Sequence, residues 1–260
     1  MAEKKFSFLN NITDDDRMLL SHVIDMANAA KEKYVKRFTF FLDDRQQELC
    51  RQVLASERLD NYLFWGGFDS ADRKVLGLFH SFGEADNADF PVKSIRFTYR
   101  RADKLSHRDF LGALMSLQIE RGCVGDIIVG EGSANVLVTD KVADRIVCDV
   151  SKIGRVGVKA FVGFDDSVIP KIEMSEITGS VSSLRADCLI SFSLHISREK
   201  AAAMIRQLGI SINHMISYKA DTVLKESDVF SVKGHGKFVF KSIDGVSKKE
   251  KIRITLCKFV

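Results

Sequence analysis

The chain has 260 residues, enough for one large domain or two to three small ones, and 45% hydrophobic with 28% charged residues argues against a disordered polymer. No window approaches the ~20 apolar residues of a membrane span, and the N-terminal MAEKKFSFLNNITDDD lacks a signal-peptide core, so a cytosolic chain with no membrane partner is expected. The net charge of +4 is too small to argue for nucleic acid by itself, but its distribution is uneven: residues 1–181 carry 25 Lys and Arg against 28 Asp and Glu, residues 182–260 carry 14 against 7.

Thr13-Asp14-Asp15-Asp16 is a capping signal whose carboxylates suit the positive end of a helix dipole. The spacing predicts a helix to about Lys36 with Leu19/Leu20, Val23, Ala27, Ala30 and Tyr34 on one apolar face. A strand is expected over residues 38–42, then a helix capped by Asp43-Asp44 and running to about Arg58. NYLFWGG and RKVLGLFH are expected as two strands. The only prolines, Pro91 and Pro170, fall in polar stretches and mark boundaries near residues 90 and 175.

Between them the pattern reads βαββαβ: strand 92–100, helix 107–119, strands 126–130 and 135–139, helix 141–152, strand 157–164. RNA-recognition motifs share that order with many unrelated proteins, so it says little about function. The segment Asn135-Val-Leu-Val-Thr139 is aliphatic where such a motif carries stacking aromatics. Phe97 and Tyr99, on one face of the first strand, are expected in the core.

From Ser182 two short helices precede short strands. The first covers residues 184–192; Ser197 caps the second, Ala201, Met204/Ile205 and Leu208 form its buried stripe, and Gly209 ends it in a left-handed cap. At ~100° per residue, Arg198 and Arg206 lie within roughly 80° of each other around the axis and share one surface.

Ser197-Arg198-x-Lys200-Ala201, then Ile205-Arg206 with Gly209 and Asn213, then Asp228-Val229 and Val232-Lys233-Gly234-His235-Gly236-Lys237-Phe238 resemble the S4 domain. The resemblance implies an RNA surface of Arg185, Ser197, Arg198, Lys200, Arg206, Lys219, Lys233, His235 and Lys237, with Asn213 or His235 adding a base-edge or 2′-hydroxyl contact. One departure is that S4 domains often begin Arg-Leu-Asp, where this chain has Leu184-Arg185-Ala186-Asp187. Further residues, namely Gly66-Gly67, Ala71-Asp72-Arg73-Lys74, Leu105-Ser-His-Arg-Asp-Phe-Leu-Gly112, Arg121 and Gly125-Asp126-Ile127, are similar to the YlmH family of S4 proteins. That family implies association with the large ribosomal subunit and a role in handling stalled peptidyl-tRNA complexes. It also carries a cell-division label from the neighbourhood of its genes.

The expected fold is therefore α+β in three small domains: an N-terminal α/β unit (1–90), an RRM-like βαββαβ domain (91–174) and a C-terminal S4 (αL-type) RNA-binding domain (182–241), followed by a basic tail (242–260). The expected partner is structured RNA, ribosomal or transfer. No cofactor, metal or small-molecule substrate is expected, since the five cysteines are scattered without zinc spacing and are expected as buried thiols.

A catalytic role is not expected. His107-Arg108-Asp109 matches the start of a kinase catalytic loop, but the required Asn falls at Leu114 and no phosphate loop accompanies it. On a capped helix terminus, His107 and Arg108 are instead additional candidate RNA contacts. Arg101-Ala-Asp103 begins a pseudouridine-synthase-like setting, but Arg108 stands where that motif needs Gly. The competing classes are an RNA-modifying enzyme and a protein scaffold linked to cell division.

Overall fold

The computed structural model describes residues 6, 9, 12–80, 85–170, 174–246 and 250–259. The fold is mixed α/β and divides into two compact units, residues 1–170 and 171–260.

In the first unit, α1 (Asp14–Lys33) starts at a capping box: the Asp16 backbone N–H donates to Thr13 Oγ1 at 3.2 Å, and Asp16 Oδ2 accepts from the Thr13 N–H at 2.7 Å. Its buried stripe is Leu20, Val23, Ile24, Ala27 and Ala30. Tyr34, expected on that stripe, is exposed, because it sits in the left-handed cap beyond the last turn. Strand β1 (Arg37–Leu42) leads to α2 (Asp44–Ser56), capped by Asp43 and Gln46, and then to β2 (Tyr62–Trp65) and β3 (Lys74–Leu78). The antiparallel sheet order is β1-β3-β2.

Arg45 on α2 grips both carboxylate oxygens of the buried Asp16 at 2.8 Å, tying α2 to the start of α1. Burial alone would raise the Asp16 pKa, but the hydrogen bonds from Arg45 and Thr13 outweigh it and lower it from 3.8 to about 2. Because the folded value lies below the unfolded one, the contribution to stability is complete above pH 3.8 and is lost as pH falls through about 2. Acid titration followed by circular dichroism should show Arg45→Met losing less stability over that window than the wild type, because only the Thr13 hydrogen bonds then favour the Asp16 carboxylate.

Strand β4 (Val92–Thr98), α3 (His107–Ser116), β5 (Val124–Val129), β6 (Ser133–Thr139), α4 (Asp140–Asp149) and β9 (Lys159–Val162) form an antiparallel sheet of order β5-β6-β4-β9 with both helices on one face. Between α4 and β9 a two-residue-per-arm hairpin, β7 (Lys152–Ile153) and β8 (Val156–Gly157), replaces the end of the expected helix and the start of the expected strand. Gly154, at φ 58°, makes that tight turn. Ile95, Phe97 and Val136 of the sheet are buried with Phe110 and Leu114 of α3 and Ile146 of α4, and the Phe97 and Phe110 rings meet at 5.3 Å. Phe97 is thus core, as expected, and Tyr99 packs beside it with its hydroxyl donating to Gly130 O at 2.6 Å.

The segment before Pro91 and the one after it pack against each other within this unit. Leu137 of β6 is buried among Phe41, Val75, Phe79 and Phe90, and Asp126 of β5 accepts the backbone N–H groups of Asp72 and Arg73 at 2.7 and 3.1 Å.

The second unit opens with β10 (Met174–Val181) and continues through α5 (Ala186–Leu194), α6 (Arg198–Leu208), β11 (Ile210–Ile212), β12 (Met215–Ser217), β13 (Val229–Ser231), β14 (Lys237–Val246) and β15 (Ile252–Phe259). Its antiparallel sheet has the order β10-β15-β14-β13-β11-β12. Phe230, Phe238 and Phe240 form the aromatic centre of its core with Ile205, Leu224, Ile254 and Leu256. The stretch expected as a basic tail holds the end of β14 and all of β15. Ile254, Thr255, Leu256 and Cys257 are buried in succession, so no polar and apolar alternation betrays the strand. Lys248 and Lys249 of the expected tail lie outside the described residues. Among the described residues, no helix is long and apolar enough to cross a membrane.

Candidate nucleic-acid interface

The start of α5 gathers two of the candidate cations on one carboxylate. Asp187 is 3% exposed. Arg185 donates to it from Nε at 3.2 Å and Nη2 at 3.0 Å, and Arg198 from Nε at 3.0 Å. Burial opposes ionisation, but these hydrogen bonds outweigh it and hold the carboxyl below its ordinary value. Both arginines keep a substantial part of their side chains in solvent, 38% and 49%. The arrangement fixes two guanidinium groups side by side and leaves donors on each without a partner on Asp187.

Helix α6 forms because Ser197 accepts the Lys200 backbone N–H at 3.2 Å while Ala201, Ala202 and Ile205 bury one side. The Ser197 hydroxyl therefore caps a helix, a structural task; the RNA contact expected of it has this prior use. Lys200 and Arg206 stand exposed on α6. Gly209 ends the helix at φ 76° and ψ 158°, an extended glycine conformation in place of the expected left-handed cap. A Cβ there would lie 2.8 Å from Ile216 Cγ2 and 3.3 Å from the Tyr218 ring.

The backbone N–H groups of Ala186 and Asp187 donate to the carbonyls of Thr222 and Ala220 at 2.8 and 3.0 Å. The loop that carries exposed Lys219 is thereby tied to the arginine pair. Just before it, Tyr218 and Ile216 are 55% and 57% exposed, an aromatic and an aliphatic side chain that charge-based reading passed over. The available signal was a tyrosine next to a lysine, Tyr218-Lys219, in the stretch expected to hold short strands.

Asn213 does something different from what was expected. Its Nδ2 donates to Asp228 Oδ1 at 2.7 Å and its Oδ1 accepts the Val229 N–H at 2.9 Å, while its own N–H reaches Val229 O at 2.8 Å. At φ 47° it turns β11 into β12 and clamps that turn to β13, so its amide is committed to the fold. Lys233 and His235 are exposed on the turn between β13 and β14, which Gly234 and Gly236 shape with φ of 81° and 96°. Lys237, at the start of β14, lies over the Phe259 ring at 5.2 Å.

The second unit carries 15 Lys and Arg against 9 Asp and Glu, the first 24 against 26. His107 and Arg108 are in the first unit, exposed in the opening turn of α3, where Asp109 accepts from the Ser106 N–H and hydroxyl at 2.8 and 2.7 Å. The burial of Cys50, Cys123, Cys188 and Cys257 follows expectation, and burial pushes the Cys50 thiol up to about 12; Cys148 is exposed.

Residues 85–161 match a family described as "Putative RNA-binding domain in YlmH". The chain is 28% identical over 245 residues to "Ribosome-associated protein quality control protein P2" of Bacillus subtilis (strain 168), covering 93% of this chain and 94% of that one. Its fold is similar to that of "Cell division protein ylmH from Streptococcus pneumoniae", with a TM-score of 0.52 at 20% identity over 60% of this chain and 94% of that one. The likeness to the YlmH family read from the sequence is borne out. The matched RNA-binding family covers the sheet of β4, β5, β6 and β9, a region to which the sequence reading assigned only His107 and Arg108.

Proposed function

We propose that this chain, similar along nearly its whole length to a ribosome-associated YlmH-type protein, is a non-catalytic, cytosolic RNA-binding factor of the ribosome. In this reading residues 182–241 act as an S4 domain that docks on structured RNA of the large subunit, ribosomal or transfer, and the protein takes part in handling stalled peptidyl-tRNA complexes. The observation that carries it is the Asp187 pair: a buried carboxylate holds Arg185 and Arg198 half-exposed beside the loop of Lys219. Guanidinium groups fixed in this way meet phosphates with little further loss of side-chain freedom. Lys200, Arg206 and Lys233 extend the positive surface, and His235 stands exposed beside Lys233.

Co-sedimentation with separated ribosomal subunits tests the reading. The informative substitutions are Lys200→Gln, Arg206→Gln and Lys233→Gln, because these cations are exposed and their removal leaves the Asp187 pair intact. Each should reduce the salt slope of binding by about one unit and weaken binding to all sequences alike. Large-subunit binding lost in the triple variant supports the S4 surface. Binding that survives ribonuclease, or an unchanged slope, rejects it in favour of a protein partner.

A further inference from the structure

The outer face of the β5-β6-β4-β9 sheet is the place where an RRM-like domain would present aromatics, and most of it is already covered. Register places Lys159, Thr98 and Ser133 in one row across β9, β4 and β6, and Phe161, Arg96 and Asn135 in the next. Asn135 is fully buried and holds the backbone of Asp165, donating to its carbonyl at 2.8 Å and accepting its N–H at 3.0 Å. Further along, Leu137 lies under Phe41, Val75 and Phe79. The end at β9 stays open.

There Phe161 is 40% exposed, on a strand with a neighbour on one side only. Arg96 lies over its ring, Cζ 5.7 Å from the centroid. Two residues away on the same face, Lys159 is exposed, and Gly163 leaves the ring's flank open: a Cβ added there would meet nothing within 4 Å except Phe161 itself. Arg96, Tyr99, Arg101, Ser133 and Asp165 line one polar cavity beside this corner. Within it one Asp165 oxygen takes both the Arg96 Nη2 at 2.7 Å and the Ser133 hydroxyl at 2.8 Å. A guanidinium and a hydroxyl converging on a single anionic oxygen are the donors that a phosphate oxygen would use.

We propose that this corner is a site for single-stranded RNA, taking an unpaired nucleotide with its base on Phe161 and its phosphate on Arg96, Lys159 and Arg101, and that the Asp165 carboxylate competes with that phosphate for Arg96. A partly open aromatic ring beside cations satisfies both parts of a nucleotide, whereas a protein partner would need a larger apolar patch than one ring. The inference rests on the RNA-binding reading but concerns a different surface from the S4 residues.

The test uses the full chain and a fluorescent oligouridylate of about ten nucleotides, within the span a single binding module covers. Phe161→Ala should weaken binding about tenfold, Phe161→Tyr should restore it, and Asp165→Asn, which can still accept the Ser167 N–H, should tighten it. Equal affinity in Phe161→Ala and wild type overturns the proposal, as does weaker binding by a folded Asp165→Asn. If the oligouridylate is bound but lost only in the Lys200, Arg206 and Lys233 triple variant, this site is rejected and the S4 reading stands. If wild type binds ribosomal subunits but not the oligouridylate, this site alone is likewise rejected. If it binds neither, both readings fall.

Discussion

Phe238→Ala should destabilise residues 171–260 by about 3–5 kcal/mol and leave residues 1–170 untouched. Phe238 is fully buried on β14, and its ring stacks on that of Phe230 at 5.4 Å and 18°. Truncation removes the apolar transfer energy and leaves a void that a sheet interior, held by strand pairing on both sides, closes only partly. A unit of this size is stable by only ~5–10 kcal/mol, so the loss takes a large share of it. Calorimetry of the variant should show the transition of the second unit displaced downward by well over ~10 °C while that of the first stays in place. A single transition shifted as a whole would show that the two units melt together.

Asp187→Ala should weaken RNA binding about tenfold, against the direction that charge alone dictates. Removing a carboxylate makes the surface more positive, and if field strength set affinity the variant would bind more tightly. The side chain, however, orders Arg185 through two hydrogen bonds and Arg198 through one. Without it both long side chains regain their rotamers, and ordering them again falls on the binding step. Anisotropy titrations at two salt concentrations decide the matter: positioning predicts lower affinity with a retained salt slope, field strength predicts higher affinity with a steeper one. Tighter binding by Asp187→Ala would remove the arginine pair from the interface.

Local signals were the readable ones. The capping residues Thr13, Asp43 and Ser197 announce their helices because a side-chain oxygen and a backbone N–H three residues on form a self-contained unit. Ala201 and Ile205 of the expected stripe set the face of α6 in the same way, whereas Leu208, expected with them, is exposed in the last turn. What stayed hidden depends on partners far along the chain. Asn213 looks like an exposed polar residue until Asp228 and the first residue of β13 are seen to take the two ends of its amide. The candidate arginines are legible as charges, whereas their union on Asp187 requires α5 and α6 to be packed first. The covering of the middle sheet by Leu137's aromatic neighbours and by Asp165 is set by contacts across long separations, and no window of sequence displays it.

One consequence concerns how the protein is made. Strand β15 lies between β10 and β14, so the last strand of the second unit occupies an interior place in its sheet and pairs along its whole length with the first. During synthesis β10 emerges without a strand partner in this sheet until residues 252–259 leave the exit tunnel. A ribosome halted before that point would hold a nascent chain with β10 unpaired and the β15-facing edge of β14 open, and open strand edges bind other chains readily. A protein proposed to serve arrested ribosomes is thus itself, by its strand order, a demanding product of an uninterrupted one.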